Sequence, residues 1–265
     1  MDAAPAPTAS APSVRSEFGP LLRAVAKRYF PPVRVSAEAE TRLRALNEQG
    51  FVIHVMRSTA WVNYLYLAWT LVSRGLPPLR AVVNLRPWLG KPWRKAARRG
   101  DHGVRFTYAR RVHGSGLIFL RRSLFGSARG RDLEENPFPS LVAMARRADR
   151  PVFLVPELFA WSKWSDALKP GLNDYLFGSP EAPGFLHTVL AFWRNHHRAQ
   201  FRVGEPIDLR RMVSENPGLS DEQLGSRVRS MLYRHLARET RAVFGPPFKH
   251  PDRLLEETLR DPSLR

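Results

Sequence analysis

Phe51-Val52-Ile53-His54-Val55-Met56-Arg57-Ser58-Thr59-Ala60-Trp61-Val62-Asn63-Tyr64-Leu65-Tyr66-Leu67 passes from a short apolar run, through an Arg-Ser-Thr corner, into a longer aromatic-rich run. Gly50 ends a helical pattern just before it, and the Val- and Ile-rich residues 51–56 read as a strand. The second run, about Ala60 to Arg74, reads as a helix that stops at Gly75, with Pro77-Pro78 beyond. A strand that turns directly into an apolar helix is a building unit of layered α/β domains. The corner between them leaves three readings open: active site, membrane contact or core.

The same signals recur on both sides. An amphipathic helix carries Leu21, Leu22, Val25 and Phe30 at helical spacing, with Arg23, Lys27 and Arg28 on its other faces, suited to a core or to lipid. A second helix is expected from about Ser36 to Leu46. Strands are expected at Arg80 to Asn84, Leu117 to Leu120 and Pro151 to Phe159, with a helix at about Pro139 to Arg147. Pro183 to His196 then reads as helix and Ala199 to Val203 as strand. Ser220-Asp221-Glu222-Gln223 is a capping box, in which Ser accepts from the amide three residues on and Gln reaches back to the Ser amide. The helix it starts runs through Leu224, Val228, Met231, Leu232, His235 and Leu236, with Arg227, Arg234, Arg238 and Arg241 on a solvated face. The expected fold is α/β, a central mostly parallel or mixed sheet flanked by helices, with helical N- and C-terminal extensions. Its expected divisions are a disordered tail at 1–14, N-terminal helices at 15–48, the α/β domain at 49–212 and a helical segment at 213–265.

With 265 residues, 43% of them hydrophobic, the chain can bury one substantial core. Its formal charge of +18 favours densely anionic partners: nucleic acid, anionic lipid headgroups or phosphorylated substrates. There is no cysteine, which excludes disulfides, thiolate nucleophiles and cysteine-ligated zinc and agrees with a reducing, cytoplasmic compartment. The Ala/Pro/Ser/Thr-rich start has no basic-then-apolar signal peptide. The longest apolar helix candidate, Ala60 to Val72, falls short of the roughly 20 residues that span a bilayer. Between Arg80 and Arg131 stand fourteen Lys or Arg against one acid, Asp101. Trp88, Trp93, Arg94, Lys95, Arg98 and Arg99 form the densest cluster. It suits a solvated basic face with Trp in the core, or an interfacial segment on an anionic membrane. Single-stranded nucleic acid is the third reading, with no helix-turn-helix, RNP-type or zinc pattern to support it.

Four blocks of the chain resemble the bacterial glycerol-3-phosphate acyltransferase family. The strand, polar corner and Tyr64-Leu65-Tyr66-Leu67 helix are similar to its first motif. Leu117-Ile118-Phe119-Leu120-Arg121-Arg122-Ser123 resembles a second block whose arginine is implicated in holding the substrate phosphate. Arg150-Pro151-Val152-Phe153-Leu154-Val155-Pro156 resembles a later block, and Phe201-Arg202-Val203-Gly204-Glu205-Pro206-Ile207-Asp208-Leu209 the Gly-Glu-Pro segment after it. The resemblance implies a role in phospholipid synthesis at the inner membrane, with acyl-CoA or acyl-carrier protein as acyl donor and no cofactor or metal. The family's catalytic motif is His, four residues, Asp. Aligning the Tyr64-Leu65 helix puts Ser58 at the His position and Asn63 at the Asp position. Neither a serine hydroxyl nor an asparagine amide replaces a base and its supporting acid, so catalysis worth about 10²–10⁴-fold is missing. None of the eight histidines has Asp or Glu five residues later, and the Glu-Gly, Arg-Ser-Arg block has no counterpart. The chain therefore resembles the family's acyltransferase-like front region, which precedes a catalytic domain. Where that family's chain goes on, this one stops at Arg265. The resemblance implies that a catalytic domain in cis or in trans is its partner.

Several single residues carry two readings. Arg57 and Ser58 lie where a helix N-terminus can hold an anion. Arg121 and Arg122 suit bidentate phosphate binding or an exposed ion pair. Glu157, in an apolar strand, is either an acid with a functional role or a structural one that needs a partner, expected to be an arginine. Gly204-Glu205-Pro206 reads as a turn ending a strand. His196-His197 reads as a surface pair rather than a metal site, because adjacent helical residues diverge by about 100°.

Overall fold

In a computed structural model, residues 17–31, 34–58, 61–85, 102–121, 136–160 and 200–244 are described. Along them run α1 (Pro20–Tyr29), β1 (Arg34–Val35), α2 (Ala37–Gln49), β2 (Phe51–Ser58), α3 (Trp61–Ser73), β3 (Leu79–Val83), α4 (His102–Arg111) and β4 (Ser115–Arg121). Then follow α5 (Phe138–Arg146), β5 (Val152–Ala160), β6 (Gln200–Val203), β7 (Ile207–Asp208), α6 (Leu209–Glu215) and α7 (Asp221–Phe244). The strands form one mixed sheet in the order β1-β6-β5-β2-β4-β3, with β7 also pairing β5. β5, β2, β4 and β3 are mutually parallel, and β6 and β7 run antiparallel to β5. The expected α/β sheet flanked by helices is the observed one. The expected helix at Pro183 to His196 and the expected disordered tail at 1–14 lie outside the described residues.

Side-chain alternation divides the sheet into two cores. Val52 and Met56 of β2 and Phe153, Val155 and Phe159 of β5 point into one, under α2 and α3. Phe51, Ile53 and Val55 point into the other, with Val152 and Leu154, under α4 to α7. Helix α3 is apolar nearly all round, so the sheet alone cannot cover it. Helix α1 seals its outer side, with Phe30 edge-on to Tyr66 at 5.5 Å and Phe18 against Trp69 at 5.6 Å. That settles the amphipathic helix on the core through Phe18, Ala26 and Phe30, with Val25, Lys27 and Arg28 outward. A two-pronged Arg80 to Glu17 pair, 2.6 and 2.9 Å, ties the segment before α1 to β3.

On the opposite face the capping box forms as expected. Gln223 N donates to Ser220 Oγ at 3.2 Å, and Ser220 N to Gln223 Oε1 at 3.0 Å. The helix it opens buries Leu224, Val228, Leu232 and Leu236 completely at four-residue intervals. Each such burial contributes about 1.5–3 kcal/mol before ordering entropy. Arg227, Arg234, Arg238 and Arg241 stay exposed.

The Gly204-Glu205-Pro206 segment does not turn the chain away. Glu157 pairs Val203 and Leu154 pairs Ile207, so β6 and β7 continue along β5 with four steps opposite three. This is a bulge-like interruption. It sits where Pro156 of β5 has no N–H to give and Gly204 N donates to Pro156 O at 2.8 Å.

Where α2 meets β2, the backbone of β5 approaches so closely that a Cβ on Gly50 would lie 2.2 Å from Pro151 O. Gly50→Ala is expected to lower stability by about 1–3 kcal/mol. Gly218→Ala, in open space, is expected to change it by less than about 0.5 kcal/mol. Urea denaturation of both variants measures the contrast.

Candidate functional site at the strand-helix corner

The carboxyl ends of β2, β3, β4 and β5 share one edge of the sheet, the side on which open α/β sheets meet their ligands. Ser58 is the last residue of β2 and pairs in register with Arg121, the last of β4. The sheet therefore brings together, at the backbone, the position that aligns with the family's base and a candidate phosphate-binding arginine. Asn63 lies in the first turn of α3, only 9% exposed, and its Oδ1 has no hydrogen-bond partner among the described residues.

Arg57 is not part of this constellation. Alternation along β2 sends it to the face under α7, where its guanidinium lies 5.5 Å from the centre of the Tyr233 ring. It holds α7 against the sheet, and its Nε is buried with no hydrogen-bond partner among the described residues. Arg122, Trp88, Trp93, Arg94, Lys95, Arg98, Arg99, His196 and His197 lie outside the described residues. Among the described residues no cluster of His, Asp and Glu forms a metal site. Among the described residues, cavities of about 800 and 600 Å³ are lined by residues away from the corner.

The histidine-carboxylate pair that does exist lies deeper. His54 Nδ1 is 2.6 Å from Glu157 Oε1, and both side chains are wholly buried. Glu157 thus meets a histidine on the neighbouring strand rather than the expected arginine. His54 pairs Val155 in the register and Glu157 pairs Met56, so the two reach diagonally across the same face. His54 Nε2 and Glu157 Oε2 have no further partner among the described residues. In chemical form, an imidazole held at Nδ1 by a carboxylate is half of a general-base relay. A base must come within about 2.6–3.2 Å of the proton it removes, and here the imidazole has no exposed surface.

Above the pair, Tyr66 stacks on Phe159 with ring centres 4.5 Å apart. Burial pushes its hydroxyl up to about 12, against the lowering effect of a hydrogen bond with Thr70 and the charge of Arg74, while the Glu157 carboxylate adds to the rise. Burial also raises Tyr64.

The parallel strands and the polar corner feeding a buried helix make up an α/β domain with a mixed sheet. The family model of the glycerol-3-phosphate acyltransferase PlsB N-terminal domain matches residues 20–245, a span that takes in every described strand and all of α7. The chain belongs to that family. No curated protein matches it.

Because the folded Tyr66 hydroxyl is raised, stability is fully present below about pH 10, the unfolded value, and is lost as pH rises from there towards about 12. Tyr66→Phe is expected to flatten this alkaline loss, as read by urea denaturation at stepped pH, and to leave the phenolate absorbance of the folded protein below pH 11 unchanged.

Proposed function

We propose that this chain is a catalytically degenerate front domain of a glycerol-3-phosphate acyltransferase, serving to dock or position the catalytic domain in phospholipid synthesis. In the complete reaction the sn-1 hydroxyl oxygen of glycerol 3-phosphate attacks the thioester carbonyl of acyl-CoA or acyl-carrier protein. The C–S bond breaks, and the hydroxyl proton passes by way of a histidine base to the departing sulfur, which leaves as the thiol. The observation that carries the reading is the pair Ser58 and Asn63 at the corner: one has no basic lone pair near neutral pH, the other no charge to support an imidazolium. The only His-carboxylate hydrogen bond among the described residues is sealed between β2 and β5. Membership of a family defined by an N-terminal domain supports a catalytic domain as partner.

Attachment to the inner face of an anionic membrane completes the proposal. Its support is the +18 charge and the Trp88 to Arg99 cluster. No helix among the described residues is long and apolar enough to cross a bilayer.

Acyl transfer by the purified 265-residue chain is expected to stay at background. Turnover that survives Ser58→Ala and Asn63→Ala would sink the degenerate reading, and turnover lost in those variants would show another base at work in the corner. Sedimentation with anionic vesicles, weakened by salt, and none with phosphatidylcholine vesicles, is expected for the membrane contact.

A further inference from the structure

Helix α7 carries four arginines on one outward face: Arg227, Arg234, Arg238 and Arg241, all exposed. At about 100° per residue they fall within about 60° of one another, and they span about 21 Å of helix. The acids of α7 stand elsewhere. Asp221 and Glu222 are in its first turn, and Glu239 lines a cavity of about 600 Å³ together with His235 and Arg202.

On other helices an exposed arginine meets an acid one turn away. Arg42 pairs with Glu38 at 3.2 Å and Arg44 with Glu40 at 3.0 Å on α2, and Arg211 pairs with Glu215 at 2.7 Å on α6. On α7, every position three or four residues from a stripe arginine holds an uncharged residue or another arginine. Arg234 and Arg238 are i, i+4 neighbours and Arg238 and Arg241 are i, i+3 neighbours, so like charges repel within the helix. A helix that carries such a cost gains from a polyanion laid along the stripe.

We propose that this stripe rests on the phosphate layer of an anionic membrane, with α7 parallel to the surface and the sheet behind it. Four or more cations on one face of an amphipathic helix suit anionic headgroups. The side chains between the arginines include Ser230, Met231 and Ala237, and the large apolar side chains that stand exposed, Val25, Val104, Tyr108 and Val112, lie on other elements. The contact is therefore electrostatic, on the headgroups rather than among the acyl chains. The same face offers no ring for a base to stack on, which favours lipid over single-stranded nucleic acid. Acylated glycerol 3-phosphate, the product of the reaction above, is itself an anionic lipid. The inference rests on the membrane reading and adds the face of the fold that meets the surface.

The test is sedimentation of the full 265-residue chain with vesicles of equal parts phosphatidylglycerol and phosphatidylcholine. Arg234→Gln, Arg238→Gln and Arg241→Gln combined are expected to weaken partitioning about a hundredfold, at about fivefold per arginine. The urea midpoint of this triple variant is expected to stay at or above that of wild type, because repulsion is relieved. Arg238→Gln alone, expected to weaken partitioning about fivefold, carries the test should the triple variant unfold. A control that removes equal charge from α1, Arg23→Gln with Lys27→Gln and Arg28→Gln, is expected to weaken it less than about fivefold, since charges beyond a Debye length of the surface are screened. Equal weakening by the two triple variants would assign the binding to total charge and overturn the stripe. Wild-type partitioning by the stripe variant would overturn it too, and loss of binding to a single-stranded oligonucleotide by that same variant would make the stripe a nucleic-acid contact. In each of these cases the membrane reading stands. Failure of wild type to sediment with these vesicles overturns both.

Discussion

The hydrogen bond between His54 and Glu157 is the constraint on which the rest of the sheet depends. It joins β2 to β5 at the centre of the parallel core, where neither side chain has any access to water. A buried carboxylate without a partner is costly enough that removing one member of such a pair takes about 3–5 kcal/mol, against the roughly 5–15 kcal/mol that holds a whole domain together. A slip of one residue between the strands would also send Val52, His54 and Met56 to the wrong core. The pair therefore fixes the register from which the corner, the packing of α3 and the facing of Arg57 all follow.

That register separates frame from chemistry. The face under α1, α2 and α3 is closed by aromatic packing, with Tyr66 between Phe30, Phe159 and Phe201. At the carboxyl edge Ser58 and Arg121 are backbone partners in the register of β2 and β4. The face under α4 to α7 is closed by apolar packing, with Leu224, Val228, Leu232 and Leu236 of α7 buried against it. A domain arranged in this way has its ionisable pair buried between two neighbouring strands.

The elements with strong internal patterns were legible in the sequence. Apolar β-branched runs marked β2, β4 and β5, Gly50 and Gly75 bounded the first strand and helix, and the Ser220 to Gln223 capping box announced α7. Helix α4 was not, since only His102, Phe106 and Ala109 turn inward and its outward Val104 and Tyr108 blur the pattern. Strands β1 and β7 are two residues long and exist through their partners. At the corner, Ser58 and Asn63 were readable as replacements, because the strand-to-helix junction fixes their place. The facing of Arg57 also had a signal: it shares the odd-numbered face of Phe51, Ile53 and Val55, not that of His54. The pairing of Glu157 with His54 also had a signal, two lone titratable residues each in an apolar strand. Their separation of 103 residues hid it, since only the sheet order makes β2 and β5 neighbours.

The most direct measurement is a double-mutant cycle at His54 and Glu157, read both as urea-denaturation stability and as acyl transfer. His54→Leu and Glu157→Met singly are expected to lose about 3–5 kcal/mol each, and together to recover most of that loss, with no change in turnover in any variant. Strictly additive losses in the double variant, or a turnover in wild type that His54→Leu abolishes while stability is kept, would contradict a structural pair at the heart of the sheet.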